Sequence, residues 1–493
     1  VGTRTDSAGP HQEKDKTHCK DKKQTRYKMK KKFTERNGLS LPEVGRQMLK
    51  VWEEEDLFHK SIDEREGCPQ FVFFEGPPSA NGHPGIHHVL ARSLKDTFCR
   101  YQTMNGKQVM RKAGWDTHGL PVELGVEKEL GITKEDIGKT ISIEEYNKRC
   151  RLNVMKYTGE WTDLSEKMGY WVDMEHPYIT YDNKYIETLW WLLKQLYQKG
   201  LLYKGYTIQP YSPAAGTGLS SHELNQPGCY RDVKDTTVTA QFKVTDKVPF
   251  DTRGKEVYAL AWTTTPWTLP SNTALCVGPK IEYVALQGKN AYSGEEAIYI
   301  LAAARVAANF PAIKNEDGTE TGPEIIWQGM GTDLVGLHYR QLMPWIKPCD
   351  LQDNQVVDRS EDAFRIIPGD YVTTEDGTGI VHIAPTFGAD DAKVARDAGI
   401  PSLFVIDKAG DTRPMVDFQG KYFVREDMRP DFVEACVCEG YWKHSGAYVK
   451  NAYDPKYNQN GKYDEKAAAK EMDLNVIMAI EMKEEGTAFR IEK

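Results

Sequence analysis

A short apolar run followed by a proline-rich turn constrains the fold of this chain more than any other feature. Residues 71–74 (FVFF) precede the turn at residues 76–78 (GPP), and apolar residues with helical spacing follow over residues 89–101. A wholly apolar run of this length is typical of a buried strand in a parallel sheet. The succession of strand, loop and helix predicts an open α/β sheet, which binds ligands at the carboxyl ends of its strands.

Further along the chain, residues 184–200 place apolar side chains on one helical face, and we expect Trp190 and Trp191 to lie in the core. An earlier helix is predicted from Val44 to about Lys60. Beyond residue 211 the sequence becomes rich in turn-forming residues. Apolar and polar residues then alternate over residues 237–244 and 256–263, as in strands. A short helix is expected at residues 390–398. The sequence thus predicts a second, mixed domain with mostly β-type segments.

Composition excludes several classes of protein. The 493 residues are enough for two or three domains, and the net charge of −8 gives no attraction between the whole chain and nucleic acid. Of the nine cysteines, the close pair Cys436 and Cys438 lacks the spacing of a zinc site, so we expect reduced thiols and no zinc ligands. No apolar run is long enough for a membrane helix, which predicts a soluble, cytoplasmic protein without a membrane partner.

The loop after the first strand carries three histidines, His83, His87 and His88. A helix start presents unpaired backbone N–H groups and the positive end of the helix dipole, which suits it to bind phosphate. His83 and His87 also have the spacing of a metal pair, but no acidic residue completes a zinc motif. Nucleotide chemistry is therefore favoured over a metal site here, and no metal ligand is predicted.

A second pattern lies in residues 261–272 (AWTTTPWTLPSN) and residues 377–391 (GTGIVHIAPTFGADD). Three consecutive threonines, with a distant histidine and aspartate, predict a small hydroxyl-lined pocket that recognises an amino group and its ester. The alternative for the triplet Thr263, Thr264 and Thr265 is an ordinary strand of β-branched residues. The accompanying His382 and Asp391 favour the pocket.

Several segments resemble a known family. PPSANG at residues 77–82, ARSLKD at residues 91–96 and GWDTHGLPVE at residues 114–123 are similar to the amino-terminal half of the class I aminoacyl-tRNA synthetase catalytic domain, specifically in the isoleucyl-tRNA synthetases. The resemblance covers nearly everything from about Leu39 onward. It implies an α/β fold: the first half of a Rossmann-like parallel sheet, incomplete here, with an inserted mixed, β-rich editing domain.

By this resemblance the ATP site contains a His-x-Gly-His signature, and the aligned residues here are Gly85, Ile86, His87 and His88. The first histidine is absent. His88 is expected to stabilise the α-phosphate of ATP during adenylate formation. His87, in the usual glycine position, and His83, from just upstream, are both candidates to replace the missing side chain.

The resemblance further implies that Pro77 lines the amino-acid pocket and that Asp116 binds the substrate ammonium. The residues alone allow another interpretation, in which Asp116 accepts a hydrogen bond from its own loop backbone. The implied substrates are isoleucine and ATP with Mg²⁺, and the implied macromolecular partner is tRNA(Ile).

In the inserted domain, the resemblance places Thr263, Thr264 and Thr265 against the terminal adenosine and ester of a tRNA, with Trp262 and Asn272 also in the pocket. Asp391 is expected to hold the free ammonium of misattached valine, and His382 to limit the size of the side chain. Binding alone discriminates poorly between side chains that differ by one methylene group, as isoleucyl-tRNA synthetases exemplify. A second pocket, which hydrolyses the wrong ester, is the physical remedy. Hydrolysis would proceed by a positioned water.

We expect a basic leader at residues 1–38, a helical segment at 39–64, the first half of the nucleotide-binding domain at 65–225 and the editing domain at 226–493. In the family that this sequence resembles, a Lys-Met-Ser-Lys-Ser loop closes the ATP site, and no such loop occurs in these 493 residues. The resemblance therefore implies an amino-terminal portion of a ligase that is monomeric and not competent for aminoacylation. A stand-alone deacylase and a noncatalytic RNA-binding protein are the alternatives.

Overall fold

The computed structural model describes residues 38–205, 207–213, 215–314, 320–459 and 462–493. These described residues divide into two compact units, which meet in the sequence between Lys204 and Gly205. The basic leader predicted at residues 1–38 lies outside the described residues except for Gly38. The other predicted domain boundaries stay predictions.

Three parallel strands form the sheet of the first unit, in the order β1-β2-β3. Helices connect each strand to the next, which confirms the predicted parallel α/β sheet. The elements of this unit are α1 (Leu41–Glu54), α2 (Leu57–Asp63), β1 (Gln70–Phe74), α3 (Ile86–Met104), β2 (Gln108–Trp115), α4 (Leu120–Leu130), α5 (Ile143–Val154), α6 (Thr158–Lys167), β3 (Asp173–Ile179) and α7 (Asn183–Gln198).

Strand β1 differs from the buried strand that the sequence predicts. Val72 is 53% exposed and Phe74 is 60% exposed. The prediction of full burial is wrong because exposure alternates along β1, so that the face of the strand that carries Val72 and Phe74 is exposed. The single helix predicted from Val44 to Lys60 is also wrong, since Asp56 takes a left-handed conformation (φ 48°) between α1 and α2.

Helix α7 has the predicted position but not the predicted burial. Trp190 is 69% exposed and Trp191 is 59% exposed, and no residue of α7 is buried. The prediction that the two tryptophans lie in the core is therefore wrong. Helical spacing identifies an apolar face, but it does not tell whether another element covers that face. Gly200, with φ 70°, follows the helix as a left-handed terminator.

The second unit is built on a six-stranded mixed sheet, in the order β13-β9-β10-β7-β6-β22. Its elements are β4 (Tyr211–Ser212), β5 (Thr217–Gly218), α8 (Ser221–Leu224), β6 (Thr237–Lys243), β7 (Val257–Thr263), β8 (Ala274–Val277), β9 (Glu282–Lys289), β10 (Glu296–Ala302), α9 (Val306–Asn309), β11 (Ile313–Lys314), β12 (Glu320–Thr321), β13 (Ile325–Met330), β14 (Cys349–Gln352), β15 (Gln355–Asp358), β16 (Arg365–Pro368), β17 (Ile380–Ile383), α10 (Ala389–Asp397), β18 (Val405–Ile406), β19 (Thr412–Arg413), α11 (Pro430–Cys436), β20 (Asn458–Gln459), β21 (Lys462–Tyr463), α12 (Glu465–Ala468), α13 (Leu474–Glu484) and β22 (Ala488–Glu492).

The strands predicted at residues 237–244 and 256–263 are confirmed as β6 and β7, which pair antiparallel. A smaller sheet, β16-β8-β17, lies in the same unit. Its strand β17 leads into α10, the helix predicted at residues 390–398, which Gly399 follows with φ 70°. The mixed, β-rich character of this unit is confirmed. Within the described part of the chain, no helix is both long and apolar enough to cross a membrane.

Candidate hydrolytic pocket and nucleotide site

The threonine segment begins where β7 ends. Thr263 is the last residue of β7, and a 3-10 helix, Pro266–Ser271, starts after Thr265. The Thr265 backbone N–H donates to Thr263 Oγ1 (3.1 Å), and the Thr265 hydroxyl lies 3.4 Å from that of Thr263. Thr265 Oγ1 is also 3.3 Å from Thr268 Oγ1. The turn after the strand therefore gathers three hydroxyl groups.

This hydroxyl cluster meets the second motif through Thr268. Its Oγ1 lies 3.5 Å from His382 Nε2, on strand β17. The neighbouring Trp267 ring contacts the edge of Phe387, with ring centroids 5.0 Å apart and an interplanar angle of 80°. The structure thus brings residues 263–268 and 382–391 together, although more than a hundred residues separate them in the sequence.

His382 carries a neutral imidazole in this environment. Its Nδ1 is fully buried and has no hydrogen-bond partner. Burial lowers the pKa of His382 to about 4. A neutral ring that faces the threonine cluster can limit the size of a bound group without adding a positive charge beside an ammonium.

Asp391 lies in the first turn of α10, where the helix dipole favours a carboxylate. Its Oδ2 accepts a hydrogen bond from the Ala384 backbone N–H (2.9 Å). A Cβ on Gly388 would lie 2.6 Å from the Asp391 carboxyl carbon, so only glycine leaves room for this arrangement. The tight turn aims the carboxylate back toward β17.

The Asp391 carboxyl has a raised pKa. Burial is the main cause, Asp390 adds to it, and the hydrogen bond from Ala384 opposes it. Among the described residues, no cation contributes to this balance. A half-buried carboxylate without a cation gains more from an incoming ammonium than an exposed carboxylate does.

Two further predicted pocket residues border the same region. The Thr264 side chain is exposed, between two hydroxyls that are engaged with each other. Trp262 is half-buried, and a Cβ on Gly377 would lie 3.1 Å from its ring. Gly377 has φ 64°, so both its conformation and its close approach to Trp262 suit glycine.

Asn272 differs from the other predicted pocket residues. It is buried, its Nδ2 donates to the Ala274 carbonyl (2.8 Å), and its Oδ1 accepts from the Tyr339 hydroxyl (2.7 Å). Both ends of the amide are therefore occupied within the protein. This geometry gives Asn272 a structural task, and its predicted contact with substrate stays a prediction.

The sequence analysis does not assign Thr268, Trp267 or Phe387 to the pocket, although all three contact it. Thr268 follows Thr265 by three residues, the spacing at which a 3-10 helix aligns side chains. Pro266 at the first helical position was an available signal for such a turn. Nothing in the sequence indicates that Phe387 contacts Trp267.

In the first unit, the loops at the carboxyl ends of the strands lie side by side. The Asp116 backbone N–H donates to the Pro78 carbonyl (3.1 Å), and the Thr180 N–H donates to the Trp115 carbonyl (3.2 Å). The loops after β1, β2 and β3 are joined in this way. These three loops therefore lie together at the edge of the sheet where the sequence predicts ligand binding, and that binding stays a prediction.

His88 occupies the first turn of α3. Its Nδ1 accepts a hydrogen bond from the Gly85 backbone N–H (2.8 Å), which leaves Nε2 as the nitrogen that can donate to a ligand. Its ring packs edge-on against Trp161, with centroids 4.6 Å apart. Burial, assisted by His87 and Arg92, lowers the pKa of His88.

The two candidates for the missing signature histidine lie in different surroundings. The His87 ring lies 3.7 Å from the His88 ring, measured between centroids. His83 Nδ1 instead lies 2.7 Å from Glu160 Oε2, and its ring packs on Tyr157. His87 is therefore next to His88, whereas His83 is paired with an acidic residue.

Asp116 is half-buried, and its Oδ1 accepts a hydrogen bond from the His118 backbone N–H (3.3 Å). This is the local turn that the residues alone allow. This hydrogen bond uses one carboxylate oxygen, so it is compatible with binding of an ammonium by the other oxygen, as the resemblance implies. Pro77 is half-buried in the loop after β1, at the same edge of the sheet.

The family model described as tRNA synthetases class I (I, L, M and V) matches residues 47–442. The chain belongs to the class I tRNA synthetases.

Within the class I synthetases, the chain is similar to several proteins named isoleucine-tRNA ligase. The protein of Bacteroides thetaiotaomicron is 62% identical over 474 residues, which cover 94% of this chain and 41% of that relative. The proteins of Bacteroides fragilis and Porphyromonas gingivalis are 61% and 57% identical, and each alignment covers 94% of this chain and 40% of the relative. This class I synthetase chain thus spans about two fifths of the length of the curated relatives it matches.

Proposed function

We propose that this chain is part of an isoleucine-tRNA ligase and that its second unit hydrolyses valine from misacylated tRNA(Ile). The names and high identities of the relatives support the ligase. The contact between Thr268 and His382 supports the hydrolytic pocket, because it joins the hydroxyl cluster to the residues expected to select the amino acid.

In the proposed reaction, Asp391 binds the free ammonium of the misattached amino acid. Its raised pKa and its lack of a cation among the described residues fit this role. The exposed Thr264 hydroxyl and the cluster beside it orient the terminal adenosine and the ester. The neutral His382 ring limits the side chain to the size of valine.

The hydrolytic step is attack of water on the ester carbonyl, with departure of the ribose hydroxyl of the terminal adenosine. An aspartate paired with an ammonium is a poor proton acceptor at the same time. We therefore assign the rate mainly to positioning of the ester and water, with help from the neighbouring ribose hydroxyl.

The first unit contributes to activation of isoleucine by ATP in the full ligase. His88 Nε2 would donate to the α-phosphate, at a helix start that suits an anion. Gly85 and His87 would lie beside the phosphates, Pro77 would line the isoleucine pocket, and Asp116 would bind the isoleucine ammonium. Mg²⁺ enters with the ATP phosphates. The described residues contain no group of three His, Cys, Asp or Glu that could hold a metal ion, and no step is assigned to it.

The experiment is deacylation of valyl-tRNA(Ile) by the chain and by its Asp391→Ala variant. The wild-type chain is expected to release valine faster than buffer alone, and Asp391→Ala to release it no faster than buffer. Equal release by the two proteins would contradict the proposed role of Asp391. No release by the wild-type chain would contradict the proposed hydrolytic function.

A further inference from the structure

The backbone N–H and the backbone carbonyl of Trp267, which belong to two successive peptide groups, are each hydrogen-bonded to a side chain of the second unit. The N–H donates to Asn475 Oδ1 (3.2 Å), and the carbonyl accepts from the Tyr422 hydroxyl (2.6 Å). Asn475 lies 208 residues and Tyr422 155 residues from Trp267 in the sequence. Both are buried, with exposed fractions of 0% and 1%. Two distant elements thus meet at one residue of the candidate pocket.

These contacts act on the segment that carries the pocket hydroxyls. Trp267 is the second residue of the 3-10 helix Pro266–Ser271, and Thr268 follows it directly. Short 3-10 helices have few and poorly aligned hydrogen bonds of their own, so outside contacts determine their position. Fixing Trp267 fixes both the Thr268 hydroxyl beside His382 and the Trp267 ring against Phe387.

The orientation of the Asn475 amide is itself determined by a charge. Its Nδ2 lies 3.3 and 3.4 Å from the two oxygens of Asp235, whose carboxylate also pairs with Lys450. Because the carboxylate can only accept, Nδ2 must face Asp235 and Oδ1 must face the Trp267 N–H. A buried, fully hydrogen-bonded amide of this kind allows one arrangement of the loop.

We propose that Asn475 and Tyr422 are positioning residues for the hydrolysis of the misattached ester. This inference rests on the proposed function. The two side chains hold the backbone on both sides of the Trp267 Cα, which keeps Thr268 beside His382 and the Trp267 ring beside Phe387. Small displacements of a positioning group have large effects on reactions that depend on orientation.

The first test compares Tyr422→Phe with Tyr441→Phe. Tyr441 is a matched control because it is also buried, packs against Tyr422, and donates its hydroxyl to a backbone carbonyl, that of Phe423 (3.1 Å). Each variant loses one buried hydroxyl, so a purely structural role predicts similar losses of stability and unchanged catalysis.

We expect Tyr422→Phe to lower kcat for valyl-tRNA(Ile) by about 5- to 10-fold, the effect of one hydrogen bond, while Tyr441→Phe stays within about 2-fold of wild type. The KM of both variants is expected to stay near that of wild type. Equal kcat values for Tyr422→Phe and Tyr441→Phe would overturn the proposal.

The second test reads the loop without any substrate. Hydrogen exchange of residues 266–272 is followed by mass spectrometry in wild type, Tyr422→Phe, Asn475→Ala and Asn290→Ala. Asn290 is a matched control because it is buried in the same unit and donates to Gln241 Oε1 and the Ala488 carbonyl rather than bonding to Trp267.

Exchange in residues 266–272 is expected to be about 10-fold faster in Asn475→Ala and faster in Tyr422→Phe, and unchanged in Asn290→Ala. Unchanged exchange in Tyr422→Phe would overturn the proposal even if Asn475→Ala does not fold. Should the wild-type chain release no valine, the proposed function fails, and the exchange experiment alone decides whether these two side chains position the loop.

Discussion

Thr268 Oγ1 lies 3.5 Å from His382 Nε2, across 114 residues of sequence. This contact joins the hydroxyl cluster after β7 to the strand that leads to Asp391. The proposed hydrolytic pocket depends on that junction, because neither segment alone provides both an ester-orienting hydroxyl and a group that binds an amine.

Asp391→Asn is expected to separate activity from stability. The amide can still accept the Ala384 N–H but cannot pair with an ammonium, so valyl-tRNA hydrolysis should fall at least about 100-fold. Burial raises the pKa of Asp391, so its ionised form destabilises the folded state at neutral pH. Thermal unfolding should therefore show an unchanged or higher Tm. A lower Tm together with normal hydrolysis would contradict both assignments.

Gly388→Ala tests the room needed by the Asp391 carboxylate. Gly388 has an ordinary φ of −104°, so any effect comes from the added Cβ and not from backbone strain. We expect the rate of hydrolysis to drop about 10-fold. The free energy of unfolding is expected to decrease by about 1–3 kcal/mol, the usual effect of overpacking. The control is Gly322→Ala, where a Cβ meets nothing within 4 Å. Equal behaviour of the two variants would show that Asp391 does not need this space.

The pH dependence of stability reports on His382. Its pKa is about 4 in the folded protein and about 6.5 when the ring is fully hydrated. Between these values the unfolded state binds more protons, so stability should decline as pH falls from about 6.5 to about 4. Urea unfolding at pH 7.5 and pH 5 measures this. His382→Gln should weaken the decline, and an identical decline would show that His382 is not the titrating group.

The first turn of α3 is expected to lose order in His88→Ala, because that substitution removes the acceptor for the Gly85 N–H. Helix caps of this kind contribute about 1 kcal/mol to the free energy of unfolding. Glutamine is a common residue at this helical position and can accept the same N–H, so His88→Gln should retain most of the stability. Hydrogen exchange of residues 85–90 checks this, with equal exchange in the alanine and glutamine variants as the contradicting result.

The sequence predicts the helices and strands of this chain well where the periodicity of apolar and polar residues is clear. Alternation predicts β6 and β7, and both are confirmed, as is the helix α10. Burial was less predictable. The apolar face of α7 was assigned to the core, yet Trp190 and Trp191 are exposed, because periodicity does not identify a covering element.

The candidate site was predictable in part. The paired motifs pointed to Thr263, Thr265, His382 and Asp391, and the structure places them in two segments that touch. Contacts between residues distant in sequence were not predictable. The amide of Asn475 beneath Trp267 leaves no local signal, since an asparagine at the start of a helix is ordinarily a capping residue.

The central claim is that this pocket removes valine and spares isoleucine. The most direct measurement is the ratio of initial rates at which the chain deacylates valyl-tRNA(Ile) and isoleucyl-tRNA(Ile). We predict a ratio of at least about 10 for the wild-type chain and a ratio near 1 for His382→Ala, in which the larger side chain gains room. Equal rates with the two esters in the wild-type chain would contradict the account.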